Sequence, residues 1–489
     1  MNFKSVLHWI LLVLLSTGSV ACGQQYSRTS YQDNGSQNNG QVWSLSDGQH
    51  YFDPAQPTPV QSAPQGAPWS TPVVQSGEDE QTSPRSSLLD NRETVTWESL
   101  GDKETEEKVD YPTSSITGFF HLDSAWYSQD DLNKQTLGDI NDGLGFRRAR
   151  LAAKGEVAED ISYIVEFDIA QSQARFVDVW MQASGTRLGN IRIGRYRQPF
   201  GMSELTSVRE LPFLERPVTF TQGPFRQTGV MIFDTLPGET GTYWLSGYRV
   251  LSDNFGNVFS DSGGYGLATR LTRIVAEWGR NQLIHFGVDY SYNDPGRGVV
   301  QLVSTNEVFV AQNPNLGPAG LSVLPIEGVT PFVNTGVIPA DSAEFFNIES
   351  AIAMGRMAIQ SEARWARVEQ PGGNTAVFPG GYVQFRYMLT GETIPYSRTN
   401  GVFGRVVPCC PWTPSGGIGA WEFTGRVSHI DLNDGGIDGR RLTDFTVGCN
   451  WYWNQYTKMQ FNWIHSRLAD PTLGDSLANA FAVRAQIDF

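Results

Sequence analysis

The chain has 489 residues, 40% hydrophobic and 12% aromatic, and a formal net charge of −15. Its one long apolar run lies at the N-terminus, which excludes a bundle of membrane helices in the mature chain. Basic residues are scattered rather than patched, so nucleic-acid binding has no support.

Residues 1–21 read as an export signal: Lys4, an apolar core from Val6 to Leu15, then Ser19, Val20 and Ala21 at the positions a signal peptidase reads. Cys22 leaves a second reading open, a lipidated first residue, although Ser19 stands where lipoprotein signals usually carry Leu. Residues 22–110 are rich in Gln, Ser, Pro, Asn, Gly and acidic side chains, with few periodic apolar stretches. This composition predicts a disordered tether, with at most a short helix near Glu98–Lys108. From 23 to 110 there are 14 acidic and 5 basic residues, so about half of the net charge belongs to this segment and −7 remains for 111–489.

From Ile116 the texture changes to strands of roughly ten residues separated by turn chemistry. Ile116–Tyr127 is one, and Arg147–Lys154 another. In Ile161–Ile169, residues Ile161, Tyr163, Val165, Phe167 and Ile169 share a face. Later, Trp421, Phe423, Gly425 and Val427 oppose Glu422, Thr424, Arg426 and Ser428; Phe445, Val447, Cys449, Trp451 and Trp453 repeat the theme, then Met459, Phe461 and Trp463. The chain ends on the same pattern: Phe481, Val483, Ala485, Ile487 and Phe489 against Ala482, Arg484, Gln486 and Asp488. A soluble sandwich also alternates. Long strands with aromatic faces, an export signal and a terminal Phe predict instead an all-β fold, a transmembrane antiparallel barrel over 111–489.

Three stretches interrupt the strands: Phe200–Gln227 with Pro212, Pro217 and Pro224, Val300–Ala343, and Pro395–Ile418 with Cys409 and Cys410. Loops this long are expected on the extracellular side or folded inward to narrow the bore. Cys409, Cys410 and Cys449 form neither a disulfide framework nor a zinc site; the adjacent pair suits a loop, and Cys449 suits packing or lipid contact. His121, His285, His429 and His465 lack metal spacing. Asp253–Asp261 looks faintly like a calcium loop but lacks the closing Glu. No nucleophile turn or phosphate-cradling glycine loop is present, so no catalysis and no cofactor are expected.

In Arg147–Lys154, if Ala149, Leu151 and Ala153 face lipid, then Arg148, Arg150 and Lys154 face the lumen; Arg270 follows by the same phasing, with Ala268 and Thr272. An arginine on the lipid face at mid-bilayer would cost roughly 2–4 kcal/mol. Guanidinium forks suit oxyanions, and the loop arginines Arg209, Arg216 and Arg226 are further candidates for a constriction. The competing role is cross-strand pairing with carboxylates such as Glu166, Asp168, Glu422 and Asp488, to which Arg426 and Arg484 are better suited.

Short phrases spread from about 116 to 489 resemble the phosphate-selective porins of the O and P type. They include Arg147-Arg-Ala-Arg150, Phe176-Val-Asp-Val-Trp180, Ile193-Gly-Arg-Tyr-Arg-Gln-Pro-Phe-Gly201 with Phe213-Leu-Glu-Arg216, and Thr335-Gly336. Gly380-Gly-Tyr-Val-Gln384, Leu389-Thr-Gly-Glu392, Phe403-Gly-Arg-Val406, Gly419-Ala-Trp-Glu422 with Arg426-Val-Ser428, and Asn450-Trp-Tyr452 follow in order. The resemblance implies sixteen strands, commonly a homotrimer in the outer membrane, water-filled pores, loops dipping into the bore, and passive conduction of small inorganic anions, in several members phosphate or polyphosphate. One departure is that 111–489 holds only Lys134, Lys154 and Lys458 beside 27 arginines, where the selective members use a lysine-rich vestibule; another is the net charge of −7. A general-diffusion porin and a non-conducting structural barrel are the alternative readings.

Overall fold

The computed structural model describes residues 109–170, 174–250, 256–257, 264–279, 281–309 and 331–489. The expected export signal (1–21), all but the last two residues of the 22–110 segment, including Glu98–Lys108, and most of Asp253–Asp261 lie outside the described residues. Among the described residues no helix is long and apolar enough to cross a membrane.

The alternating segments form a closed barrel of sixteen strands. The first eight are β1 (Ser115–Gln129), β2 (Gly143–Ala158), β3 (Ile161–Asp168), β4 (Arg175–Thr186), β5 (Gly189–Arg197), β6 (Arg226–Thr235), β7 (Gly241–Arg249) and β8 (Tyr265–Gly279). The rest are β9 (Gln282–Asn293), β10 (Ser342–Met354), β11 (Met357–Glu369), β12 (Thr375–Met388), β13 (Ala420–Asp434), β14 (Ile437–Tyr452), β15 (Thr457–Asp470) and β16 (Gly474–Asp488). Each pairs antiparallel with its neighbour, and β1 closes on β16 from Phe119↔Asp488 to Gln129↔Ala478. Phe489 completes that seam: its N–H donates to Gly118 O at 2.9 Å, and its carbonyl accepts from Gly118 N–H at 2.8 Å and Thr117 Oγ1 at 2.7 Å. Closure leaves no unpaired edge to meet lipid.

The two faces sort as the alternation predicts. Leu144, Phe146, Leu151, Phe167, Phe423, Phe445, Val447, Phe481 and Ile487 are exposed on the outside. Arg148, Arg150, Arg270, Glu422, Arg426, Arg484 and Asp488 are buried on the inside. A bulge at His121/Leu122 leaves Arg147 without a cross-strand partner, so it turns inward beside Arg148.

Strand count places Ser115 and Phe489 at one rim. Most turns there span two to five residues, whereas the opposite rim carries the loops 198–225 and 294–341. The third long stretch, 389–419, leaves from the terminal rim and folds into the barrel from there, so the interruptions do not all belong to one side. Its Ile394, Tyr396, Val402, Phe403 and Val406 pack with Leu283, Ala351, Ala353, Ala358 and Met388 and reach Met202 of the first loop. Around the other rim, Phe200, Val218, Leu302, Phe332 and Ile338 pack against Ala343, Ala366, Ala376, Phe378 and Ala478. Small inner-facing side chains on β10–β16 give the inserted chain room, and its apolar residues leave water there.

Candidate functional site: luminal arginines and the inserted loop

The loop 198–225 begins with a single helical turn, Met202–Leu205. Its free C-terminal carbonyls need donors. Arg197 Nη1 donates to Glu204 O, Leu205 O and Thr206 O at 3.2, 2.9 and 3.0 Å. Arg216 donates to Ser203 O at 2.7 Å, Glu204 O at 3.1 Å and Thr206 O at 2.8 Å. Two forks thus hold one turn of backbone.

Charge then ties the loop to the wall. Glu204 meets Arg364 of β11 at 2.5 and 2.6 Å, and Arg364 also bonds Glu362. Glu215 accepts from Arg147 at 3.0 Å, Arg148 at 2.8 and 3.1 Å, and Arg484 at 2.7 Å. Burial opposes the charge of Glu215, but the guanidiniums of Arg147, Arg148 and Arg484 outweigh it and hold its carboxyl well below the usual range. Arg484 is shared with Asp123 at 2.6 and 2.7 Å and also donates to Leu214 O. Removing one member of such a buried network strands the charge of the others.

The residues singled out from the sequence face inward, in distinct settings. Arg148 is committed to Glu215; Arg150 pairs with Asp168 at 2.9 Å and Glu166 at 3.8 Å. Arg270 binds Glu349 at 2.6 Å, lies 3.8 Å from Asp289, and donates to Asn400 O and Gly401 O of the 389–419 loop at 2.9 and 2.7 Å. Arg226 pairs with Asp178 at 2.9 Å, and Arg216 holds carbonyls. Arg209 lies over the Phe119 ring at 5.5 Å and makes no ion pair among the described residues. Lys154 is half-buried on the inner face of β2. Arg426 meets Glu307, and the expected partners Glu422 and Asp488 take Arg386 (2.7 Å) and Arg405 (2.5 Å). Period two would also have found Arg364 and Arg386; nothing short of the bulge reveals Arg147.

Access to solvent differs around the lumen. Side chains of Arg270, Arg364 and Arg484 are 0% exposed beneath the inserted loops, whereas Arg175 keeps 20%, Asp178 19% and Glu166 14%. The wetter wall is therefore β3–β5.

A family model described as phosphate-selective porin O and P matches residues 116–489. The chain belongs to this family. The protein is accordingly an outer-membrane porin, a channel rather than an enzyme. It is 24% identical over 372 residues to an uncharacterized protein of Caulobacter vibrioides, covering 72% of this chain and 70% of that protein. Among solved structures, the porin is similar to an anion-selective porin from Comamonas acidovorans at 11% identity, covering 77% of this chain and 99% of that one with a TM-score of 0.46. The outer membrane channel DcaP of Acinetobacter baumannii is similar at 12% identity, with 77% and 97% covered and a TM-score of 0.47.

Proposed function

We propose that this porin conducts small inorganic anions, phosphate among them, along the guanidinium-rich wall of β2–β6, with the loop 198–225 setting the constriction. The observation that carries this is the charge of that wall: Arg150 and Arg175 meet Asp168, Arg150 also meets Glu166, and Arg226 meets Asp178, while Arg192 and Arg197 make no ion pair among the described residues. Five cations against three anions concentrate oxyanions locally, whatever the average charge of the chain. The interspersed carboxylates weaken each binding step so that an ion can leave. Arg148, Arg150, Arg270, Arg209, Arg216, Arg226 and Lys154 serve this path either by contact or by fixing the groups that make it. Membership of a family described as phosphate-selective supports the choice of anion. Homotrimeric assembly and removal of residues 1–21 on export belong to the same proposal; crosslinking and the N-terminal sequence of the mature protein test them.

The deciding experiment is planar-bilayer recording in a potassium chloride gradient, with phosphate added to one side. A reversal potential of anion sign and a saturable block of chloride current by phosphate are expected. A cation-sign potential defeats the proposal; chloride selectivity without block leaves a general-diffusion porin. A second reading, a barrel closed at rest, is favoured by one observation: Arg405 of the 389–419 loop bonds Glu210 of the 198–225 loop at 2.8 Å and Asp488 at 2.5 Å. Silent wild-type channels that conduct as Arg405→Ala would establish it.

A further inference from the structure

One luminal cation is set among aromatic rings. Arg192, inward on β5, meets no carboxylate among the described residues; its Nε and Nη2 both donate to Gln182 Oε1, at 3.1 and 2.7 Å. Its guanidinium lies among rings, 4.1 Å from the centroid of Trp180 and 4.9 Å from that of Phe233. Phe233 in turn stacks on Trp244 at 4.4 Å and 7°. The layers run from buried to accessible: Phe233 and Trp244 are 8% and 5% exposed, while Trp180 and Arg192 remain half-buried. Trp244 Nε1 is buried without an acceptor among the described residues.

The backbone is shaped for the stack. Gly194, the cross-strand partner of Trp180, has φ +133, and a Cβ there would stand 2.2 Å from Val179 O and 3.0 Å from Trp180 Cβ. Only glycine lets the two strands and the indole come this close. A hydrated path for phosphate alone has no use for a half-exposed indole beside a guanidinium that makes no ion pair. An aromatic carboxylate uses both: its ring stacks on Trp180, and its carboxylate takes the Nη1 edge that Gln182 leaves uncommitted.

We infer that Trp180, Arg192, Phe233 and Trp244 form a luminal subsite for small aromatic carboxylates. It rests on the anion-path reading for the route by which such a ligand arrives, but binding itself can be measured without conduction. Saturation-transfer NMR on the detergent-solubilised full barrel, with benzoate as probe and acetate and inorganic phosphate as competitors, is the test. Benzoate signal is expected in the wild type, displaced at least about tenfold less readily by acetate than by unlabelled benzoate. It should be lost in Trp180→Ala and Arg192→Gln and weakened in Arg192→Lys, which keeps charge but not the planar stack. Acetate competing as well as benzoate overturns the subsite on wild-type protein alone, even if a variant fails to fold. So does benzoate binding that survives both Trp180→Ala and Arg192→Gln. Bilayer recordings separate the two claims: anion-sign potentials with no benzoate binding would sink the subsite and leave the channel reading standing. Benzoate binding with a cation-sign potential would do the reverse.

Discussion

Glu215→Gln is the sharpest test of how the inserted loop is held. The carboxylate stands among Arg147, Arg148 and Arg484 and is 3% exposed. Arg484 would keep Asp123, but Arg147 and Arg148 would lose their only ion-pair partner among the described residues. Breaking a buried pair from one side costs about 3–5 kcal/mol, because the remaining charge stays desolvated. An amide keeps one acceptor oxygen, so the lower end, about 3 kcal/mol, is expected. Urea unfolding in detergent micelles, following the folded barrel by its gel mobility, should show that loss as a lower midpoint. The same variant removes one negative charge from the lumen and should move the reversal potential further toward anions. A change below about 0.5 kcal/mol, the range of an ordinary surface substitution, would refute the claim that this carboxylate fastens the loop.

Glu215 also sets a pH dependence. Its folded-state carboxyl titrates below the unfolded reference of about 4.3, so its stabilisation is complete above that value and is lost as pH falls through the folded value. The unfolding midpoint should hold from neutral pH to about 5, then decline in wild type and less so in Glu215→Gln; parallel curves would count against it. Arg150→Ala leaves Glu166 without its guanidinium and Asp168 with Arg175 alone, and the reversal potential should shift toward cations. Arg405→Ala removes the bridge between Glu210 and Asp488 and should cost about 1–2 kcal/mol while raising open probability in bilayers. At Gly118 a Cβ would stand 2.6 Å from both Arg150 O and the Phe489 ring, so Gly118→Val should impair seam closure, read as a smaller folded fraction after refolding.

The barrel was legible because its physics is written at period two. A lipid-facing row must be apolar and a luminal row need not be, so Phe481 and Arg484 declare their sides without any structure. The phasing that set Arg148, Arg150 and Arg270 inward holds for the same reason. What the spacing did not carry is what meets those side chains across the lumen. Glu215 lies 67 residues from Arg148, and Asn400 lies 130 residues from Arg270; neither distance has a period. The reversed entry of 389–419 was hidden too, since a loop's composition does not tell its rim. One signal did exist: inner-facing positions of β10–β16 run through Ala351, Ala353, Ala358, Ala366, Ala376 and Ala478, whereas those of β2–β5 carry Arg148, Arg150, Glu166, Trp180 and Arg192. Small residues on a luminal face mark where something else must fit.

The excess of arginine over lysine invites the view that arginine replaces lysine as the bait for anions, but the contacts divide the arginines by task. Arg197, Arg216, Arg270 and Arg484 each reach backbone carbonyls of an inserted loop, and Arg270 and Arg484 hold carboxylates at the same time. A lysine ammonium on a flexible stem cannot brace several acceptors in one plane as a guanidinium does. Much of the arginine content is therefore structural, and the count alone says little about what the pore selects. Selectivity should follow the few that keep access to water and spare donors, Arg175 and Arg192. Substituting those two should change reversal potentials with little change in unfolding midpoint, whereas substituting Arg216 or Arg364 should do the opposite. If both groups moved both readouts equally, bracing and selection would not be separate tasks in this lumen.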